Sequence, residues 1–321
     1  MLKSVKVTAA VLSLVGFVAG VSLAGGVGTT GAQFLKIGIG ARPVGMGYAY
    51  SAVADDLNAL YYNPAGLANQ KDRQATASYL SYWQDVSIGF LAYSQQLFKG
   101  TFGVGLSYLS IGGIEKRSLS FVNDTNNAAG DDLPEGKFGA SDAALYLSYA
   151  NKELLGQFVE GLDVGASIKA LHQEIDDESA NTPALDLAAL YQTPITNLNA
   201  SLGVFNIGPE VKFVDEGDPL PMMVRLGVSY RMFNNKLLLV ADADEYFIDE
   251  RFYGKAGAEY KLIEVLSLRA GYQMGMDSEL GGMAGLGTGI GFNIWNIQTD
   301  YAFAPFGELG DTHRISISTK F

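Results

Sequence analysis

The stretch Phe34–Ala68, FLKIGIGARPVGMGYAYSAVADDLNALYYNPAGLA, governs how the rest of the chain is read. It is rich in alanine and glycine (Gly38, Gly40, Gly45, Gly47, Gly66), with neither strand alternation nor a long helical stripe. One helical patch is predicted, Asp55 to Tyr62, with Asp55 as its cap and Leu57, Leu60 and Tyr61 on one face. Pro64 keeps Asn63 out of the α conformation, so the helix must stop there and the chain must turn. Compact, glycine-permissive backbone suits a plug folded into a confined space. The sequence after Gln70 reads as the wall of that space.

From Arg73 onward, segments of about ten residues alternate apolar with small or polar side chains. Phe102, Val104, Leu106 and Tyr108 oppose Gly103, Gly105 and Ser107. Leu162, Val164, Ala166, Ile168 and Ala170 oppose Asp163, Gly165, Ser167 and Lys169. Fourteen strands are expected, near 74–83, 86–95, 101–111, 139–150, 161–171, 184–192, 198–207, 222–232, 236–245, 253–262, 265–274, 284–294, 297–304 and 312–321. An even number brings both ends of a barrel to one side, the periplasm. Links at that side should be short and links at the external side long. The external ones are 112–138, 172–183, 208–221, 246–252, 275–283 and 305–311. Two links break the rule: the tight one at Gln84-Asp85 and the long internal one, 151–160.

Composition agrees with a membrane barrel. Charged residues are 17% of the 321-residue chain, where about a quarter is usual in soluble proteins, and there are 39 Gly, 17 Tyr and 17 Phe. No apolar run after residue 24 approaches the roughly 18 residues that a membrane helix needs. A soluble β-sandwich would also alternate, but it gives no reason for so many glycines and tyrosines. In a barrel, glycines relieve crowding in the lumen and tyrosines sit at the two lipid–water boundaries. Lys3 and Lys6, the apolar run Val7–Val21 and Ser22-Leu23-Ala24 read as a cleaved signal peptide, 1–24. The expected organisation is therefore a hatch over 25–72 and a transmembrane antiparallel barrel over 73–321. Without cysteine there is no disulfide, thiolate site or lipid anchor, and a net charge of −12 argues against nucleic acid.

Gly38-x-Gly40-Ala41-Arg42, Gly45-Met46-Gly47, Ala54-Asp55-Asp56 and Asn63-Pro64-Ala65-Gly66-Leu67-Ala68 together resemble the N-terminal signature of the PorV/PorQ outer-membrane proteins. More distantly, the Asn-Pro-Ala-Gly-Leu run is similar to the hatch of FadL-type fatty-acid transporters. The resemblance implies an outer-membrane barrel of a diderm bacterium that handles or scaffolds exported proteins of type IX secretion. The alternative it implies is passive passage of hydrophobic small molecules such as long-chain fatty acids. Arg42, Asp55, Asp56, Asn63, Pro64, Ala65 and Gly66 would be the hatch or gating residues. The terminal strand Ile315-Ser-Ile317-Ser-Thr319-Lys-Phe321 resembles the signal read by the barrel-assembly machinery, with Phe321 as its key residue. Further expected partners are outer-membrane lipid, lipopolysaccharide and exported proteins or secretion components, with a hydrophobic ligand on the alternative reading.

No enzyme, cofactor or metal site is expected. The glycines at 38–47 lack a Gly-Lys-Ser/Thr ending and a βαβ setting, so a nucleotide loop is rejected. By alternation His172 and His313 face outward, a poor place for a general base. The acid groups Glu174-x-Asp176-Asp177-Glu178 and Asp215-Glu216-Gly217-Asp218 lack EF-hand spacing and read as solvated loops. The lumen is more informative. Parity turns Arg225, Arg231, Lys255, Glu259, Arg269, Asp300 and Arg314 inward, where they could pair across the wall or grip the hatch. The first half of the lumen (Gly103, Gly105, Ser107, Asp163, Gly165, Ser167) is expected to be small or polar with little apolar surface. Leu119, Phe121, Val211, Phe213 and Val214 are expected to be exposed on external loops, as a protein contact.

Overall fold

The computed structural model describes residues 28–82, 86–116, 136–156, 158–276, 283–307 and 310–321. The leader, the tight link at Gln84-Asp85, and Leu119 and Phe121 lie outside the described residues. The strands are β1 Gln74–Ser81, β2 Ser87–Leu97, β3 Gly100–Lys116, β4 Gly136–Asn151, β5 Leu162–Ile175, β6 Glu178–Gln192 and β7 Leu198–Ile207. A two-stranded excursion, β8 Val211–Lys212 and β9 Gly217–Asp218, follows. The wall resumes with β10 Met223–Met232, β11 Leu237–Tyr246, β12 Arg251–Ile263, β13 Leu266–Gln273, β14 Leu286–Ile294, β15 Ile297–Pro305 and β16 Asp311–Lys320. Without β8 and β9, fourteen strands close into one antiparallel barrel, because β1 pairs with both β2 and β16. Closure leaves no strand edge exposed to lipid, where unpaired backbone groups would each cost several kcal/mol.

The two faces of the wall divide by chemistry. Leu91, Leu106, Leu145, Ile168, Leu239, Leu268 and Ile315 project outward and are exposed, while Arg225, Asp244, Arg269 and Arg314 on the opposite face are buried. A soluble protein would have the reverse arrangement; an apolar outer band is what lipid requires. His172 and His313 also lie on the outer face, bonded to Asn181 and to the hydroxyl of Tyr301.

The strand ends differ from expectation at two links: β3 and β4 run on to Lys116 and from Gly136, shortening the expected loop 112–138, and the link after β5 changes more. β5 and β6 extend toward each other until only residues 176–177 remain between them, so the expected loop 172–183 is a tight turn. Asp176 takes a positive φ of 53°, which aspartate tolerates, and Pro183 lies within β6. The acids and the proline masked strand that continues beyond the alternating part. The long link 151–160 contains a helical turn, Glu153–Gly156.

An arginine placed in the outward apolar band should be costly at mid-height. Leu91→Arg, at the centre of β2, is expected to lower folding stability in lipid vesicles by about 2–4 kcal/mol. Ser81→Arg, at the end of β1, should cost roughly 1 kcal/mol or less. Urea titrations of vesicle-folded protein measure both.

Candidate functional site

The segment from Thr30 to Gln70 runs through the lumen from one end of the barrel to the other. At the end carrying the longer loops, Thr30 Oγ1 donates to Asp249 (3.1 Å). There too, the Gly31 N–H donates to Pro219 O (2.9 Å) and the Ala32 N–H to Gln173 Oε1 (3.1 Å). At the opposite end Asn69 Nδ2 donates to Asp163 (2.7 Å), Ser94 Oγ to Gln70 Oε1 (2.6 Å) and Gln96 Nε2 to Gln70 O (3.2 Å). Between these anchors Val44, Met46, Tyr50, Leu57, Leu60, Tyr62 and Leu67 are fully buried. Each such aliphatic side chain contributes about 1.5–3 kcal/mol through burial.

Glycine lets this segment touch the wall backbone to backbone. Gly47 has a φ of 63°, and a Cβ there would overlap Tyr272 of β13. Across the contact, a Cβ at Gly271 would overlap Met46 and Gly47. The pairing of glycines on segment and wall removes the side chains that would hold the two apart.

The predicted helix over Asp55–Tyr62 is shorter than expected, only Ala59–Tyr62, and Asp55 does not cap it. Asp55 is occupied elsewhere: it receives Arg42 at 2.5 Å and Arg231 at 3.2 Å. Asp56 supplies the local bond instead, accepting from the Asn58 N–H at 2.9 Å. Asn63 is extended (φ −169°) before Pro64, and its Oδ1 accepts from the Ala65 N–H. Its Nδ2 donates to Ser51 O at 2.8 Å and to Ala189 O of β6 at 3.3 Å. The side chain thus ties two parts of the segment to each other and to the wall. Gly66 packs so closely on Ala54 that a Cβ would overlap its carbonyl.

The inward charges expected from alternation, Arg314 excepted, fall into two groups. In the first, Arg42 donates through Nε and Nη2 to Glu259 (2.8 and 3.0 Å) and through Nη1 to Asp55. Glu259 also accepts from Arg269 (2.6 Å), which reaches Asp300 (2.7 Å). A chain of opposite charges, Arg231–Asp55–Arg42–Glu259–Arg269–Asp300, therefore crosses the lumen from β10 to β15 through the segment. Burial works against a charged Asp55, but Arg42 and then Arg231 hold its carboxyl below the usual range. Burial pushes Asp56 up, opposed by Arg42 and aided by the Asp55 charge.

In the second group Asp244 is shared by Arg225 (2.7 Å) and Lys255. Arg225 also donates to Tyr62 O at 3.3 Å. Arg314 joins neither group: it bonds Gly38 O and the Tyr48 hydroxyl. Phe321 is exposed where β16 meets β1, its N–H donating to Arg73 O and its ring 6.3 Å from that of Tyr93.

Several contacts went unanticipated. Asp242 accepts from the Tyr50 and Ser51 N–H groups (2.8 and 2.9 Å), and Lys169 pairs with Asp186 (2.6 Å). Alternation in β11, where Leu238, Val240, Asp242 and Asp244 share a face, was the available signal for the first. Two expectations are corrected. The first half of the lumen is not poor in apolar surface, since Leu80, Ile88, Phe90, Leu109, Tyr146 and Leu171 face inward and pack in one core with the segment. Val211 is not exposed but 2% accessible, set over Gly31, and Phe213 packs against the same core. The β8–β9 hairpin turns them inward; only Val214, 71% accessible, projects from it.

A closed fourteen-stranded barrel, apolar outside and carrying its own N-terminal segment inside, is a bacterial outer-membrane β-barrel of FadL-like fold. The toluene transporter TodX of P. putida matches it with a TM-score of 0.63 at 15% identity, over 88% of this chain and 99% of that one. The Ralstonia pickettii toluene transporter TbuX gives 0.62 at 16%, over 88% and 98%. A Pseudomonas aeruginosa FadL homologue gives 0.53 at 14%, over 88% and 97%. No curated protein matches the sequence. The chain belongs to the PorV family: the model described as "Type IX secretion system protein PorV" matches residues 24–246, more than half its length.

Asn63→Ala removes a side chain that makes three hydrogen bonds in a buried site, at a cost of about 1–3 kcal/mol per group left unsatisfied. Hydrogen exchange across residues 50–70 should accelerate in this variant, while exchange in the strands and the heat-modifiable gel migration of the barrel stay unchanged.

Proposed function

We propose that the protein is an outer-membrane body for handling exported proteins in type IX secretion, working through its external loops rather than through its lumen. Membership of the PorV family supports the secretion setting. The observation that carries the reading is the charge chain from Arg231 to Asp300, which fastens the N-terminal segment to wall strands on both sides. Residues 25–72 serve here as a hatch, with Arg42, Asp55, Asp56 and Asn63 as fastenings rather than as a gate. Of the links to the wall, Arg42–Glu259 is the largely buried one, and stranding either member of such a pair costs several kcal/mol, so displacing the segment would be expensive. Lumen passage of a greasy molecule would also bring it past Arg42, Arg225, Arg269 and their partners.

An exported protein or a secretion component would contact the loops from the 112–138 and 208–221 regions. The exposed Val214 is the described apolar residue of the second. Phe321, at the end of the closing strand, acts in recognition by the barrel-assembly machinery, and lipopolysaccharide and lipid cover the outer band. The second reading, passive passage of hydrophobic molecules, has the fold of the two toluene transporters in its favour.

A photo-crosslinking residue at Val214, and another at Leu119, should capture an exported protein in cells that carry the secretion machinery. Deleting the gene should leave uptake of long-chain fatty acids nearly intact. Loss of that uptake, with no exported protein captured at either position, would replace this reading by the transporter one.

A further inference from the structure

At the end opposite the longer loops, the periplasmic end in barrels of this kind, the strand connections are short apart from 152–161. Turns of this sort are usually built from small and polar residues. Here each one carries a large apolar side chain in the open. Phe98 joins β2 to β3, Phe158 lies between β4 and β5, Ile195 between β6 and β7, Phe233 between β10 and β11, and Trp295 between β14 and β15. Their accessibilities run from 61% at Ile195 to 92% at Trp295. Val265 in the β12–β13 turn and Phe321 at the junction of β16 with β1 are exposed as well.

In three of these turns the backbone is a poor host for the residue it holds. Phe98, Phe233 and Trp295 have φ values of 51°, 51° and 56°. A left-handed residue in a tight hairpin is ordinarily glycine, asparagine or aspartate, because Cβ crowds the following carbonyl. Local geometry alone would therefore select other residues at these tips.

Two contacts fix their height. The Tyr149 hydroxyl donates to Phe98 O at 2.6 Å, and the Tyr93 ring lies 6.3 Å from that of Phe321. Tyr93 and Tyr149, with Tyr230 and Tyr260, project outward from strands that descend to these turns. Such tyrosines mark the lipid–water boundary, so the tips stand at headgroup level. Charge is sorted in the same way. The connections at this end carry Lys71, Arg73, Lys99, Lys152, Lys236, Lys261 and Lys320 against the acids Asp72, Glu153, Glu160 and Glu264. Lys320 adjoins the Trp295 turn, its N–H donating to Asn296 O at 3.1 Å.

We propose that this rim binds anionic phospholipid of the inner leaflet, with the apolar tips entering the leaflet at its headgroup boundary and the adjacent cations holding the phosphates. The tips encircle the whole wall, as lipid does, whereas a protein partner would call for one patch on one side. Cationic heads beside apolar side chains suit a phosphate layer laid over an apolar one. This surface depends on the outer-membrane location and not on the secretion reading.

Trp295 supplies the probe, because the chain has two tryptophans and Trp83→Phe leaves it alone. The mature protein is refolded into vesicles of phosphatidylglycerol and phosphatidylcholine in equal parts, with one lipid or the other brominated high on its acyl chains. Both brominated lipids should quench Trp295, and aqueous iodide should quench it little. Phosphatidylglycerol should be favoured about fivefold near the indole, equivalent to roughly 1 kcal/mol for one lysine near a lipid surface. Lys320→Gln should remove most of that preference, and Lys99→Gln, at another connection, should leave it. Heat-modifiable migration shows whether each variant is folded; should Trp83→Phe fail to fold, subtracting the Trp295→Phe signal from that of the wild type gives the same reading. Quenching by iodide and not by brominated lipid would overturn the proposal and leave the tips as a water-exposed face for a soluble protein. Equal quenching by the two lipids, or a preference that survives Lys320→Gln, overturns it too.

Discussion

Arg42 is the contact on which the interior depends. It sits on the N-terminal segment, yet its closest bonds include two to Glu259 on the wall, and Glu259 hands the charge on to Arg269 and Asp300. Wall carboxylates and cations facing a confined space need partners, because the space lacks the bulk water that would otherwise solvate them. Part of that need is met within the wall, as in the Arg225–Asp244–Lys255 group. The rest is met by the segment. Through Arg42 and Asp55, barrel and segment supply charges to each other.

Steric fit enforces the same conclusion. The segment approaches β12, β13 and β14 at Gly257, Gly271 and Gly287, where a side chain would meet Val44, Met46 or Gly47. On the other side, Leu60 and Leu67 fill the space left by Gly103. Sites of this closeness are unforgiving of displacement, since dry, well-packed interfaces have one good arrangement. The hairpin 211–218 adds a cover at one end, with Val211 packed over Gly31.

Much of this was legible in the sequence, because a two-residue period leaves little choice of face. The strand count and the inward direction of Arg225, Lys255, Glu259, Arg269, Asp300 and Arg314 follow from alternation alone. Alternation does not say which inward charges meet. That depends on strand register: Glu259 lies opposite Arg269, whereas Arg314 lies opposite Leu80 and Ala302 and so finds no carboxylate across either neighbour. The β8–β9 hairpin was hidden for a different reason. Val211 and Phe213 alternate over too few residues to distinguish a loop surface from a folded-in cover. The helix cap failed because a long-range partner, Arg42, outcompeted the local backbone for Asp55.

The central claim is that the segment stays seated in the lumen while the protein works. Ser51 on the segment and Ser201 on β7 have their hydroxyl oxygens 2.7 Å apart, and the chain has no native cysteine. Ser51→Cys combined with Ser201→Cys offers a reversible tether across that contact. With the disulfide formed, delivery of exported proteins to the cell surface should match that of the reduced form. Delivery that stops on oxidation and returns on reduction would contradict the account, by showing that the segment has to leave its place.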